Sequence, residues 1–198
     1  MGAHEARGKT NEHYTPWYIF EALGERFDLD VASPPFETLV PAARFLTEGG
    51  LSEPWEGFVW MNPPFGHQET KRAWLARFFE HGNGVALTPD RTSAPWYGEA
   101  MERADAHLNA KGKPKFWTTN AETGALKRGN GPGTGVTLWA AGPRAVEALR
   151  RAASRGLGRL HMTVRVPPEG KPVTQARNRF ECWDDEMRQS RAFREARA

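Results

Sequence analysis

Four consecutive apolar residues, Phe58-Val59-Trp60-Met61, run directly into Asn62-Pro63-Pro64-Phe65-Gly66, and few folds accommodate that order. A short apolar run closed by turn residues predicts a buried strand. The two prolines fix φ and carry no N–H, so the strand must stop and a rigid loop must follow. Over residues 68–80, Trp74, Leu75, Phe78 and Phe79 recur at helical spacing, and Gly82 supplies a stop. Strand, rigid loop and helix in this order are one repeat of an α/β sheet. They put the tetrapeptide 62–65 at the C-terminal edge of a strand, where open α/β sheets bind their ligands.

The rest of the chain supplies the partners such a unit needs. Thr15 reads as an N-cap with Pro16 at the first helical position, and Trp17, Phe20 and Leu23 carry a helix to about residue 26. Residues 27–32 read as a strand that Ser33-Pro34-Pro35 forces out of the sheet, which puts Asp30 on the same ligand edge. Short strands are expected at 41–46, 85–88, 106–110 and 136–140. A helix capped by Thr92 or Ser93 carries Trp96, Ala100, Met101 and Ala104, and a second spans 143–155. Leu160, Met162, Val164 and Val166 alternate with His161, Thr163 and Arg165, the pattern of a half-buried strand. The expected organisation is a polar N-terminus over 1–12, an α/β domain over 13–166, and a charged extension over 167–198. In that extension Phe180, Trp183 and Met187 are spaced as the stripe of a short docking helix, the alternative being a largely mobile tail. Only about thirty residues separate Asp30 from Asn62, too few for two full strand–helix units of roughly ordinary length, so the sheet is expected to be abbreviated there.

Composition excludes several classes. With 198 residues, 39% hydrophobic, the chain can bury a core of its own. No apolar stretch is long enough for a membrane span, and the start of the chain is polar. Cys182 is the single cysteine, so no internal disulfide forms and a reducing cytoplasm is the expected setting. The six histidines are scattered without metal-ligand spacing, so no metal is expected.

The tetrapeptide has a defined chemistry. Freed backbone carbonyls, the Asn62 side-chain oxygen and the Phe65 ring together offer hydrogen-bond acceptors and a stacking face for a planar amino-substituted base. Asp30 offers a carboxylate to a ribose or a cationic amino group, or caps its own loop. Downstream, residues 111–133 hold Lys111, Lys113, Lys115, Lys127 and Arg128 against one acid, Glu122, a net of +4, with Phe116 and Trp117 between them. A basic, glycine-rich loop with aromatics suits a phosphate backbone and exposed bases, and the pI near 9.2 permits it.

In order along the chain, Tyr14-Thr15-Pro16, Phe27-Asp28-Leu29-Asp30-Val31-Ala32-Ser33, Gly50-Leu51 before Trp55, and Trp60-Met61-Asn62-Pro63-Pro64-Phe65-Gly66 resemble the motifs of phage-type DNA N6-adenine methyltransferases of the Dam family. The resemblance implies a Rossmann-like class I methyltransferase sheet flanked by helices, S-adenosylmethionine as donor and DNA as partner. It further implies donor contacts at Tyr14, Thr15, Pro16, Asp30, Val31, Ala32, Ser33 and Leu51, and a catalytic motif formed by Asn62, Pro63, Pro64 and Phe65. Lys111, Lys113, Lys115, Trp117, Lys127 and Arg128 would then meet DNA. Where many methyltransferases have Gly-x-Gly after the first strand, this chain has Ser33-Pro34-Pro35.

A neutral asparagine is a poor base, so Asn62 is expected to orient the adenine N6 and polarise its protons rather than remove them. A base stacked within a duplex cannot reach such a pocket, so the nucleotide must be flipped out or single-stranded. Cytosine N4, RNA adenine and protein glutamine amides present the same planar amino group, and an inactive DNA-binding module with this fold is the non-enzymatic alternative.

Overall fold

The computed structural model describes residues 14–35, 38–119, 126–129 and 133–165. The chain divides into two units, Met1–Val164 and Arg165–Ala198, and of the second only Arg165 is among the described residues. The expected N-terminal tail and C-terminal docking helix therefore lie outside them.

Seven strands form one sheet in the order β2-β1-β3-β4-β8-β5-β9. They are β1 (Phe27–Asp30), β2 (Ala42–Phe45), β3 (Val59–Met61), β4 (Gly84–Pro89), β5 (Ala106–Ala110), β8 (Val136–Ala141) and β9 (Gly158–Met162). The first four run parallel to one another. Strand β8 is antiparallel to both β4 and β5, so β5 points the same way as β1, β3 and β4. A separate antiparallel pair, β6 (Trp117–Thr119) with β7 (Leu126–Arg128), forms within the basic segment.

Helices cover both faces. α1 (Trp17–Leu23) and α4 (Pro143–Ser154) share a core with Trp60, Val85, Leu87, Leu108 and Leu138. α2 (Gln68–His81) and α3 (Pro95–Arg103) pack on Val59, Met61, Ala86 and Trp139. The alternation of Trp60 with Val59 and Met61, and of Leu138 with Trp139, sends successive side chains to opposite cores. A strand buried on both faces has no need of polar residues, which is why the run 58–61 is apolar throughout.

Several local expectations are corrected. α1 ends at Leu23 rather than near residue 26, because Gly24 takes a left-handed conformation and donates its N–H to the Phe20 carbonyl. Pro16 itself is the extended N-cap of α1, and the Thr15 side chain does not cap the helix. α3 begins at Pro95 after Ala94, so neither Thr92 nor Ser93 caps it. β9 starts earlier than the alternation implied, at Gly158, whose missing side chain lets it lie beside Ala110. The abbreviation between Asp30 and Asn62 is present: only β2 and β3 intervene, with no helix among the described residues.

Gly50 ties the β3 side of this short segment to the site edge. A Cβ there would collide with both the Val31 carbonyl oxygen and the Trp74 ring. Gly50→Ala should therefore cost about 2 kcal/mol through overpacking, a fall of roughly 4–8 °C in Tm for a chain of this size. Thermal denaturation checks this, and an unchanged Tm would show that the loop moves aside freely.

Candidate active site

The chain leaves β1 outward to β2 and returns on the other side to β3, so the sheet order reverses between them. The crevice beyond β1 and β3 is therefore a topological switch point. A cavity of about 230 Å³ lies there. It is smaller than the roughly 300–1,000 Å³ of pockets that enclose a whole small ligand.

Three segments converge on it. Parallel pairing of β1 with β3 sets Asp30 opposite Trp60, and the Val31 N–H donates to the Trp60 carbonyl at 3.0 Å. Tyr14 is bridged to Trp117 by two backbone hydrogen bonds of 2.9 and 3.0 Å, which anchors the chain just before α1 against the basic segment. Asn62 then reaches across: its Nδ2 donates to the Thr15 hydroxyl at 3.2 Å. With the amide nitrogen committed to Thr15, the side-chain oxygen is turned the other way.

Asp30 is the most perturbed acid of the site. It is 2% exposed, and burial pushes its carboxyl up to about 7, partly offset by hydrogen bonds from the Ala32 N–H at 3.2 Å and from the Ser33 side chain. Burial penalises the charged form, so this carboxylate is held ready for a cationic or hydroxyl partner.

Of the residues singled out in the sequence, Tyr14, Thr15, Asp30, Ala32, Ser33, Asn62, Pro63 and Pro64 all line the cavity. Pro16, Val31, Leu51 and Phe65 do not. Val31 turns its side chain into the core under α2 and α3. Leu51 sits on an exposed turn whose carbonyl accepts from Arg77. Phe65 packs edge-on against Phe116, with ring centres 5.7 Å apart. Phe116 is fully buried, so the aromatic facing outward from the basic segment is the half-buried Trp117 rather than the pair. Lys111, Lys113 and Lys115 are exposed, and the Lys113 ammonium donates to the Gly133 carbonyl at 3.0 Å. Lys127 and Arg128 lie on β7, with side chains outside the described residues.

Two contributors escaped the sequence reading. Trp60 lines the cavity with a fully buried indole N–H that meets no acceptor among the described residues. Lys71, 2% exposed, donates from Nζ to the Gly66 carbonyl at 2.8 Å and lies 5.7 Å from the centre of the Trp96 ring, so it clamps the loop just after the tetrapeptide. Its signal was visible: Lys71 shares the i, i+3, i+4, i+7 stripe with Trp74, Leu75 and Phe78.

Among the described residues no cluster of His, Cys, Asp or Glu has the makings of a metal site, and no helix is long and apolar enough to cross a membrane. The seven-stranded sheet, its flanking helices and the crevice at the reversal of strand order are those of a Rossmann-like methyltransferase fold. A family model, DNA N-6-adenine-methyltransferase (Dam), matches residues 3–152, and the chain belongs to that family. No curated protein and no solved structure matches it.

Asp30 gives the site a pH signature of its own. Its folded pKa lies above the unfolded value of 3.8, so the folded state binds the extra proton between pH 4 and 7, and stability falls as pH rises through that window. A shift of this size is worth on the order of 4 kcal/mol. Asp30→Asn should therefore be more stable than the parent at pH 8, with the gap closing as pH falls toward 4. Parallel Tm-versus-pH curves for the two proteins would contradict the buried-carboxyl assignment.

Proposed function

We propose that this chain transfers a methyl group from S-adenosylmethionine to the N6 amino group of adenine in DNA, the target base being flipped into the cleft at Asn62-Pro63-Pro64-Phe65. Family membership supports a DNA adenine methyltransferase. The observation that carries the finer reading is the Asn62–Thr15 hydrogen bond, which fixes an amide at the cavity wall with its nitrogen occupied.

The donor site fits the cavity's own residues. Asp30 is a buried carboxyl whose charged form is only partly compensated by Ala32 and Ser33, and a ribose hydroxyl or the donor's ammonium supplies the rest. Trp60 closes the same wall, its indole N–H buried without an acceptor among the described residues. When bound, S-adenosylmethionine supplies an activated methyl on a sulfonium. Everything else is positioning, which suits a reaction that needs alignment more than a strong base.

The adenine N6 lone pair is delocalised into the ring, so the nitrogen is a weak nucleophile until its protons are engaged. The Asn62 side-chain oxygen and the Pro63 carbonyl accept those two N–H groups and bring the lone pair toward the cavity. Phe65, braced by Phe116, supplies the face or edge against which the flipped base rests. Lys71 holds the Gly66 carbonyl and so keeps the motif's exit rigid. Lys111, Lys113, Lys115, Trp117, Lys127 and Arg128 face the DNA backbone and the bases beside the target. Residues 13–166 form the catalytic domain in this reading, the 167–198 extension lies beyond it, and the enzyme works in the cytoplasm.

Asn62→Ala should lower the methylation rate at least about a hundredfold with donor binding retained, roughly 2.7 kcal/mol of barrier. Thr15→Val, which removes the hydroxyl that holds the amide and alters the cavity wall, should cost about tenfold, roughly 1.4 kcal/mol. Radiolabelled methyl transfer measures both, and an Asn62→Ala enzyme above about a tenth of parental activity would overturn the role. Replacing Lys113, Lys115, Lys127 and Arg128 together by glutamine should weaken DNA binding and flatten its dependence on salt, the slope falling by up to roughly 0.9 for each phosphate no longer neutralised. An unchanged slope would remove this segment from the DNA interface.

A further inference from the structure

A second cavity, of about 370 Å³, opens on the same sheet edge as the first, lined by Tyr18, Ala22, Lys111, Arg155, Gly156 and Leu157. Its position follows from strand direction. β5 runs with β1 and β3, so Lys111, which follows its last residue, emerges on the edge that carries Asn62. The Lys111 N–H donates to the Leu157 carbonyl at 2.8 Å, which draws the turn after α4 to the same place. α1 starts at this edge, because β1 follows it in the opposite sense, and Tyr18 lies in its first turn.

The charge pattern of this cavity is unbalanced. Arg144 and Arg151 both pair with Glu25, at 2.9 and 3.1 Å, and Arg150 pairs with Glu147. Arg155, the next in the same series, has no carboxylate partner among the described residues. Its Nη1 donates to the backbone carbonyls of Glu21 and Ala22, and Arg155 lines the cavity together with Lys111. Neither the ammonium of Lys111 nor the hydroxyl of Tyr18 meets a partner among the described residues, and no acid lines the cavity. Beside it Trp17 and Tyr18 present large aromatic surfaces, 50% and 46% exposed. Two converging cations repel one another until an anion joins them, and an arginine fork is shaped for a phosphate. Exposed aromatics next to cations are the means by which single-stranded or flanking nucleotides are held.

We infer that Lys111, Arg155 and Tyr18 form a phosphate subsite for the DNA strand flanking the target base, with Trp17 and Tyr18 supporting the adjacent nucleotide. This rests on the DNA-methylating reading above and extends the DNA contact from the basic segment across α1 to the end of α4.

The test measures binding of the full-length chain to a fluorescently labelled unmethylated duplex by anisotropy, from 50 to 200 mM KCl, alongside methyl transfer to the same DNA. Arg155→Gln and Lys111→Gln should each weaken binding several-fold and lower the log–log salt slope by about 0.9, one phosphate each. Tyr18→Ala should weaken binding while leaving the slope unchanged. Arg150→Gln, which removes the same charge outside the cavity, should alter neither. Because Arg155 also ties down α1, a variant that fails to fold by circular dichroism is set aside, and Lys111→Gln with Tyr18→Ala decide. Parental slope and affinity in those two variants would overturn the subsite. If the parent protein methylates DNA in that case, the subsite alone fails. If the parent neither binds nor methylates DNA, the function proposed above fails instead.

Discussion

Pairing of β1 with β3 is the constraint on which the site depends. These strands are thirty residues apart in sequence, yet their register places Asp30 directly beside Trp60 and so brings the ends of both strands to one crevice. β1 is held on both of its sides. Toward β3 the Val31 N–H reaches the Trp60 carbonyl, and toward β2 the Leu46 N–H reaches the Asp30 carbonyl at 2.8 Å and the Ser33 N–H reaches the Leu46 carbonyl at 3.0 Å. With the edge so held, the bond from Asn62 to Thr15 joins the third segment and completes the wall of the cavity.

Rigidity at this edge has an electrostatic cost. Asp30 is kept from water and its charged form is disfavoured, so the folded chain carries a destabilising element in the wall of the cavity. Lys71 is the counterpart on the other side of the motif: a buried ammonium spent on a backbone carbonyl and an aromatic ring. A core built for stability alone would fill both positions with apolar side chains.

Much of the fold was legible because the sheet's interior strands and its helices carry strong local signals. The stripe of Trp74, Leu75 and Phe78 marks α2, and Gly82, with a left-handed φ of 75°, ends it close to the expected place. The tetrapeptide's location at a strand end could be read because two prolines leave the chain no alternative. What failed was decided by tertiary partners. Thr15 has the composition of a helix cap but gives its hydroxyl to Asn62, forty-seven residues away. Val31 stands between two cavity residues, Asp30 and Ala32, yet its side chain faces the core. Phe116 shares the basic segment's sequence yet is wholly buried behind Phe65. Sequence proximity to a motif says which backbone is near, and only packing says which side chain is turned inward.

The central claim is that the Asn62 amide presents an adenine N6 to an activated methyl group. Unmethylated DNA incubated with the protein and S-adenosylmethionine carrying an isotopically labelled methyl, then digested to nucleosides and analysed by mass spectrometry, tests it most directly. Label is expected in N6-methyladenine and in no other nucleoside. Label in N4-methylcytosine, or DNA left unlabelled by a folded protein, would contradict it.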